Sequence, residues 1–594
     1  MARDEKSDVK RWLDRTTAAI TRKGEWEKSF EVGTCRKFYD GHQVDRLTDL
    51  SGDRVIVINK VGAAVRTTIP NLVFRYPYVR VLGSPEREDT QGQKLDERAK
   101  LLQDTINSII RDPKTQFNEQ VFPALKEAFW AFGCIETGYS ADFVDDATAP
   151  KPALKEDDKA EVDDALPQVA SESFYVRHIP AKTIVFSARE TSVLAEHDWL
   201  GYYEWMNVED VKRAPAYAAN AVDLKAGGRD AEKDGEETDP DTQRVKVWKI
   251  WDQRTKTRLV FADGHDKFLL KAEYKHLPLH FLRFESQTDS FYPIPPIYHQ
   301  LGPQREYNDS RDTLRKLRKA IVPRYTFDEQ AMSPEDLEKF ETGDIGVYIG
   351  IQNQNPSPIN PVNQPSFSEG SITSLTLAGK EFSEMSGTSA ASRQGSGSDT
   401  ATEAKIMNTR QAVSESFDRQ TVAIFLGSIA KGLLQCAIDF MIVDHWILRN
   451  SDPFSVFFPQ DAQAIEQTYQ LITFQELQEA SSTMRWDVSV DVESLSPASE
   501  EEKRATWNTA LQMLSNAPIA RILAQSPELL KRTLDLNGMH SAKDQAMVGE
   551  ALMKVAQIEM QMAASGAKPG PGISGQAPAQ PAGVPGPTPG GVVQ

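Results

Sequence analysis

The hydrophobic and polar positions along the chain predict a mixture of helices and strands. Apolar residues over 94–110 recur at helical spacing. Residues 245–282 instead contain three short strand-like runs, VKVWKIWD, TRLVFA and KFLLKAE, with Asp263-Gly264 as a tight turn between the last two. Further strands are predicted over 78–82, 134–143, 174–205 and 485–492, and further helices over 123–133 and 499–564. The pattern therefore indicates the α+β class.

The second half of the chain predicts long helices. Gly302-Pro303 is expected to begin a helix over 304–322, about 28 Å long. Its apolar stripe is narrow, so the helix suits either a solvent-bridging role or packing beside like helices in a ring. Another helix is predicted over 369–385, and the proline-free run 401–448 predicts one very long helix. The narrow stripe consists of Tyr307, Leu314, Leu317 and Ile321.

A glycine- and serine-rich loop, SGTSAASRQGSGSDT, separates the last two predicted helices at Ser386–Thr400. A flexible glycine-rich loop directly before a long helix is one feature of nucleotide-binding sites. A phosphate-binding loop, however, has a Lys-Ser or Lys-Thr pair after its last glycine. Gly397 is followed by Ser398 and Asp399, and the aspartate would repel a phosphate. The sequence therefore disfavours a phosphate site here.

Composition narrows the class of protein. The chain has 594 residues, for which about two to four domains are expected. Its net charge of −18 argues against binding nucleic acid through a basic surface. The three cysteines show neither a disulfide framework nor zinc spacing, which favours a reducing compartment. No secretory signal is seen at the N-terminus, and charges interrupt the apolar run 422–448, so we expect a buried helix and no membrane association.

Three segments have the composition of surface insertions or disordered chain. Residues 144–173 and 218–244 are acidic and poor in hydrophobic residues, and both are predicted as insertions. Residues 565–594 are rich in proline, glycine and alanine and are predicted to be disordered.

Motifs of catalysis and metal binding are lacking in the sequence. His276 and His280 have helical ligand spacing, but Pro278 between them opposes a helix. There is no HExxH, Cys-x-x-Cys or GxSxG motif. We therefore predict no enzyme, no metal and no cofactor, although a DNA-processing or nucleotide-using enzyme stays as an alternative because scattered active sites leave no motif.

One dense basic cluster stands near the end of the predicted helix over 304–322. One interpretation is favourable charge at a helix C-terminus, and the other is contact with DNA or with an acidic neighbour. The cluster comprises Arg311, Arg315, Lys316, Arg318, Lys319 and Arg324.

Four ordered sequence signatures resemble the portal proteins of tailed double-stranded-DNA bacteriophages. The similarity is spread over most of residues 20–560. The chain departs from it at Val44, where a tryptophan often follows the glutamine, and by its two acidic insertions. The signatures are Trp26 with Phe38–Gln43, the Asn-led segment Asn59–Val81, the Gln-x-x-x-Asn of Gln304–Asn308, and Asp399–Glu403 at the start of the long helix.

The resemblance implies a portal-like multidomain subunit, with wing, stem, clip and crown, that assembles into a ring of usually twelve copies. By order along the chain, the wing would be 1–302 and 401–496, which includes the long helix. The stem helices would be 303–322 and 369–385, the clip 323–368, the tunnel loop 386–400, and the crown 497–564. The tunnel-loop residues that would face the channel are Gly387, Ser389, Ser392, Arg393, Gln394, Gly395, Ser396 and Gly397.

The same resemblance implies location and partners. The ring would be assembled in the host cytoplasm and would occupy one capsid vertex of the virion. Double-stranded DNA would pass through it, with terminase, capsid and scaffolding proteins and a head–tail adaptor as partners, and ATP hydrolysis would belong to the terminase. Another head-completion or tail component of a virion is the remaining alternative.

Overall fold

The computed structural model describes the chain in segments. These are residues 5–44, 55–73, 76–85, 92–143, 169–225, 243–320, 325–327, 334–335, 338, 359–361, 369–386, 401–442, 444–448, 469–482 and 484–490. The chain divides into two units, Met1–Ser496 and Pro497–Gln594. All described residues belong to the first unit, so the predicted crown helices and C-terminal tail lie outside them.

Helices and strands alternate irregularly along the first unit. The helices are α1 (Glu5–Ser29), α2 (Val32–Asp40), α3 (Lys60–Leu72), α4 (Gly92–Arg111), α5 (Phe117–Glu127), α6 (Val208–Arg213), α7 (Pro296–Ala320), α8 (Glu369–Met385), α9 (Ala401–Phe440) and α10 (Phe474–Ser482). The strands are β1 (Val79–Pro85), β2 (Gly133–Phe143), β3 (Val169–His178), β4 (Ile184–Phe186), β5 (Trp199–Asn207), β6 (Arg244–Asp252), β7 (Thr257–Ala262), β8 (Phe268–Glu273), β9 (Leu279–Leu282), β10 (Tyr325–Phe327), β11 (Ile359–Pro361), β12 (His445–Leu448), β13 (Tyr469–Ile472) and β14 (Met484–Val490). The α+β class is confirmed.

The three strand-like runs predicted over 245–282 form a meander of β6, β7 and β8, and β5 and β4 extend it to an antiparallel sheet of five strands in the order β4-β5-β6-β7-β8. Gly264 forms the turn between β7 and β8 with φ +77°, a conformation that glycine adopts without strain. Strand β6 is buried on both faces because α1 packs on one side of the sheet and α6 on the other. This double burial explains the nearly continuous apolar run VKVWKIWD.

A second antiparallel sheet has the order β3-β2-β9 and packs against α5 and α9. Strand β3 begins at Val169, inside the segment predicted as an insertion, and Ser171–Ser173 pair with Asp142–Ser140 of β2. Likewise, Ala221 and Leu224 are buried against Val245, inside the second predicted insertion. Both predicted insertions were too long, because a neighbouring strand or core can order residues of low hydrophobicity.

Helix α9 is the longest described helix, with 40 residues, and it ends at Phe440 rather than at Leu448. The prediction of one helix to Leu448 was wrong, because His445–Leu448 form β12, which pairs with β13. The part Phe417–Phe440 is long and apolar enough to span a membrane, with a hydropathy of 1.7, yet 61% of its most apolar stretch is buried inside the protein. This burial agrees with the expected core helix.

Two prolines that were predicted to begin helices lie inside them. Helix α7 begins at Pro296 and contains Pro303, and α5 begins at Phe117 and contains Pro123. A proline nitrogen cannot donate to the carbonyl four residues earlier, so each helix lacks one backbone hydrogen bond. Tertiary packing of the residues on both sides of each proline stabilises the helix. The prolines therefore predicted both helix starts too late in the sequence.

Candidate functional site

Four amide side chains meet where the N-terminal part of the chain contacts α7. We call Gln43, Asn59, Gln304 and Asn308 the amide junction. Asn308 Nδ2 donates to Gln43 Oε1 at 2.7 Å, and Gln304 Nε2 donates to Asn308 Oδ1 at 3.1 Å. Gln43 Nε2 in turn donates to Asn59 Oδ1 at 3.1 Å. The junction therefore connects α7 to the segments on either side of residues 45–54.

The amide junction also satisfies the start of α3. Asn59 is the N-cap residue and accepts from Gly62 N at 2.8 Å. Gln304 Oε1 accepts from Lys60 N at 3.0 Å and from Val61 N at 3.3 Å, while its Nε2 donates to Ile58 O at 2.8 Å. The first N–H groups of a helix have no partner within the helix, so these bonds supply what α3 lacks. Gln304 is fully buried, which makes each of these bonds costly to lose.

Three of the four portal-like signatures contribute to the amide junction. Gln43 ends the aromatic–glycine–glutamine signature, Asn59 begins the Asn-led segment, and Gln304 and Asn308 are the two named positions of Gln-x-x-x-Asn. Nothing in the spacing of these residues along the chain indicates that they touch. An amide immediately before a helix is a recognisable cap signal, but its partners on α7 are found only in the tertiary structure.

Helix α8 packs beside α7 next to the amide junction. Lys60 Nζ lies 3.8 Å from the centre of the Tyr307 ring and 5.8 Å from that of Phe382. A lysine over an aromatic face is attracted to the ring, so Lys60 links α3, α7 and α8. Ala378 and Phe382 are buried on α8.

The predicted narrow stripe of α7 is only partly buried in this subunit. Leu314 is buried, whereas Tyr307 and Leu317 are half-buried and Ile321 lies outside the described residues. On α8, three large apolar side chains are exposed: Ile372, Leu377 and Met385. The helix pair therefore keeps apolar surface in solvent.

The basic cluster is partly neutralised within α7. Asp312 pairs with Arg315 and with Lys316, each at 2.9 Å. Arg311 is half-buried and Arg318 is exposed, while the Lys319 side chain and Arg324 lie outside the described residues. The ion pairs with Asp312 indicate that Arg315 and Lys316 stabilise the helix itself. Contact of the basic cluster with DNA or with an acidic neighbour stays a prediction.

The predicted tunnel loop lies almost wholly outside the described residues. Helix α8 ends at Met385, and Ser386 N donates to Phe382 O at 2.9 Å. The next described residue is Ala401, where α9 begins. The eight loop residues named above, Ser398 and Asp399 are therefore not described, and the predictions for them stay untested.

A charge cluster that the sequence did not indicate joins the two large sheets. Glu136 Oε2 accepts from Arg177 Nη2 at 2.7 Å and from Tyr202 O–H at 2.9 Å. Arg177 Nη1 donates to Glu204 at 3.0 Å, and Lys249 Nζ donates to Glu204 at 2.9 Å. We call these five residues the intersheet cluster. Its members come from four strands far apart in sequence, so no spacing reveals it.

The electrostatics of the intersheet cluster are those of a closed structural network. Burial would raise the pKa of Glu204, but Lys249 and Arg177 outweigh burial and lower it. Burial lowers the pKa of Lys249, and it raises the pKa of Tyr202, whose hydroxyl lies beside Glu136. Two carboxylates face two cations, so the cluster is neutral overall and is satisfied internally.

The histidines form no metal site in the part of the chain that the structure describes. No group of three His, Cys, Asp or Glu side chains there has the arrangement of a metal site. His280 lies on β9, is hydrogen-bonded to Thr137 at 3.2 Å, and is so buried that its pKa falls to about 4. His276 precedes the strand and lies 3.8 Å from Asp439. The pair is not helical, in agreement with Pro278.

Comparisons with known proteins leave the family open. No protein-family model matches the chain. No curated protein matches it either. Among solved structures, a chain of the "Virion of native gene transfer agent (GTA) particle" is similar with a TM-score of 0.32 and 10% sequence identity, over 68% of this chain and 81% of that chain. A TM-score of this size does not show a shared fold.

Proposed function

We propose that this chain is the portal subunit of a tailed double-stranded-DNA bacteriophage. The amide junction carries the proposal. Three segments that separately resemble portal proteins share one partly buried hydrogen-bond network, although Gln43 and Asn308 are 265 positions apart. Chance resemblances at separate places along a sequence give no reason for their polar residues to meet.

The helix pair supports assembly into a ring. The narrow stripe of α7 is only partly buried, since Tyr307 and Leu317 are half-buried, and α8 leaves large apolar side chains exposed at Ile372, Leu377 and Met385. Neighbouring copies in a ring would cover such surface and would favour association by the hydrophobic effect. In this proposal α7 and α8 are the stem helices, and the channel runs through a ring of about twelve copies.

The charge of the chain suits a conduit for DNA. Affinity for duplex DNA grows with the number of phosphates that basic side chains neutralise. A subunit with a net charge of −18 neutralises few of them, so DNA can slide. Residues 386–400, repeated around the ring, would form the constriction, with Arg393 facing the channel. The chain would dock terminase and the head–tail adaptor and would leave ATP hydrolysis to the terminase.

Electron microscopy of the purified chain tests the proposal. We expect negatively stained particles to be rings with a central hole, and native mass spectrometry to give a single closed oligomer. A monomer at all concentrations, or an oligomer without a channel, contradicts the proposal. Labelling of the assembled virion then distinguishes a portal, at one vertex, from a tail component. Mg²⁺-dependent ATPase or nuclease turnover that is lost on Ser398→Ala would favour the enzyme alternative.

Deletion of residues 387–397 tests the role of the loop. We expect rings to assemble and DNA packaging or retention to fail, because the loop acts on DNA rather than on the subunit contacts. Arg393→Gln should weaken retention with a smaller effect. Loss of ring assembly on deletion would show instead that the loop holds the subunits together.

A further inference from the structure

A positively charged groove lies between α1 and one end of the five-stranded sheet. Its cavity volume is about 630 Å³. Trp12 and Trp199 lie beneath it in an edge-to-face pair, with ring centres 5.7 Å apart. We call it the α1 groove. Its cationic lining consists of Arg11, Arg15 and Arg22 of α1 and of Arg254 and Lys271 on the sheet side.

The cations of the α1 groove outnumber its carboxylates. Three aspartates, Asp8, Asp198 and Asp252, also line it. Arg11 pairs with Asp8 at 3.3 Å, and Arg254 pairs with Asp198 at 2.5 Å. Within the described segments, Arg15, Arg22 and Lys271 have no carboxylate at ion-pair distance. Unbalanced positive charge in one concave place is notable on a chain with a net charge of −18.

The arginines of α1 form a single stripe. Residues 11, 15, 18 and 22 follow helical spacing and lie on one face. The stripe is about 16 Å long, which is the length of about five residues of extended chain. Ala18 keeps its middle low, so an extended segment can lie between the guanidinium groups. The groove is therefore shaped for a linear polyanion.

The interspersed aspartates favour an acidic peptide over nucleic acid. A nucleic-acid strand carries one phosphate at every nucleotide, so some phosphates would face Asp8, Asp198 or Asp252. A peptide places acidic and neutral residues in any order and avoids this repulsion. The chain itself contains such a peptide, because residues 226–242 hold seven acidic and two basic side chains.

The strand register argues that this segment comes from another copy. Strand β6 joins Asn207↔Arg244 at one end of the sheet to Trp199↔Asp252 at the groove end. These ends are about 26 Å apart along the strand. Residues 226–242 begin and end beside the first of them, because Leu224 packs against Val245. Their maximum extension, about 60 Å, barely covers the path to the groove and back, so almost no residues would remain to lie along it.

We propose that the α1 groove binds the acidic segment 226–242 of a neighbouring copy of this chain. The proposal adds a subunit contact to the proposed ring and rests on it only in requiring a second copy. The contact is made by ion pairs, so it weakens as salt is raised.

A labelled peptide with the sequence of residues 226–242 tests the contact. The receptor is the full chain in which the seven acidic residues of its own segment are changed to Asn or Gln, so that its own segment does not compete. Fluorescence anisotropy at low salt should show saturable binding. Arg15→Gln/Arg22→Gln/Lys271→Gln should weaken that binding about tenfold, since each exposed ion pair contributes modestly.

The matched control removes three cations elsewhere, by Arg36→Gln/Arg213→Gln/Lys380→Gln. It should leave peptide binding within about twofold of the starting receptor. Equal weakening by both triples, or equal binding of a peptide with its acidic residues neutralised, would overturn the proposal. Tighter groove-dependent binding of residues 144–168, or of a DNA oligonucleotide, would assign the groove to that ligand instead. Binding without rings contradicts only the portal proposal, and rings without binding contradict only this one.

Discussion

Asn308 Nδ2 donates a 2.7 Å hydrogen bond to Oε1 of Gln43, which lies 265 positions earlier in the chain. Through this bond and those of Gln304, the middle of α7 is held to the start of α3 by side-chain amides rather than by apolar contact alone. Amide pairs are directional, so they fix the position of α7 as well as its burial. These bonds therefore orient α7 relative to α3.

Gln304→Leu should destabilise the first unit by about 3 kcal/mol, because it leaves the N–H groups of Lys60 and Val61 and the carbonyl of Ile58 without this partner. The denaturant midpoint followed by tryptophan fluorescence measures the change. Gln300→Leu is the control on the same helix. Gln300 is also buried, but its Oε1 accepts no hydrogen bond from the described residues. It should change stability by less than about 1 kcal/mol, and equal losses in the two variants would show that the amide junction adds nothing.

Gly432→Ala should destabilise α9, whereas Gly427→Ala should not. A Cβ at Gly432 would lie 2.5 Å from Nε2 of the buried His280, so the ring must move. We expect a net cost of about 1–2 kcal/mol after the gain in helix propensity. A Cβ at Gly427 would have its nearest neighbour at 3.7 Å, so that variant should gain up to about 1 kcal/mol. Thermal unfolding of the two variants gives the comparison, and a stabilised Gly432→Ala protein would disprove the close contact.

Arg177→Met tests the intersheet cluster. The change leaves Glu136 buried without its cation, and breaking a buried pair costs about 3–5 kcal/mol. Because the Arg177 side chain is 34% exposed, we expect the lower end of this range. The double variant Arg177→Met/Glu136→Met should recover part of the loss in urea unfolding. Arg213→Met, which breaks an exposed pair with Glu209, should have little effect. A double variant less stable than the single would mean that packing, not charge, dominates.

Lys23 should make stability rise with pH above neutrality. Burial lowers the pKa of Lys23 to about 8, against an ordinary value of 10.5. Between these values the unfolded chain binds more protons than the folded one, so raising the pH favours the folded state. Relative to Lys23→Met, the wild type should gain about 1.5 kcal/mol between about pH 8 and 9.5.

The difference between the two proteins isolates Lys23, because tyrosines and cysteines titrate in both. Urea midpoints at several pH values provide the measurement. Parallel pH curves for wild type and Lys23→Met would show that the ammonium of Lys23 is solvated.

Helices and turns that depend only on residues close together in the sequence could be predicted from the sequence alone. Helix α8 has the predicted bounds Glu369–Met385, and the Asp263-Gly264 turn joins two strands of the predicted meander. A tight turn and a helical repeat are specified within a few residues, so they can be read without the rest of the chain. The portal-like order of signatures was also visible, but only as a resemblance.

Tertiary structure decided everything that requires distant residues to meet. Helix α9 ends at Phe440, close to the point where Glu172 of β3 accepts a hydrogen bond from the N–H of Ile442. No residue pattern near Phe440 in the sequence marks this end. The amide junction and the intersheet cluster likewise combine residues from separate elements. A buried hydrogen bond or ion pair is stable only where packing brings both partners together and excludes water. Sequence spacing specifies neither condition, so these sites became visible only in the folded chain.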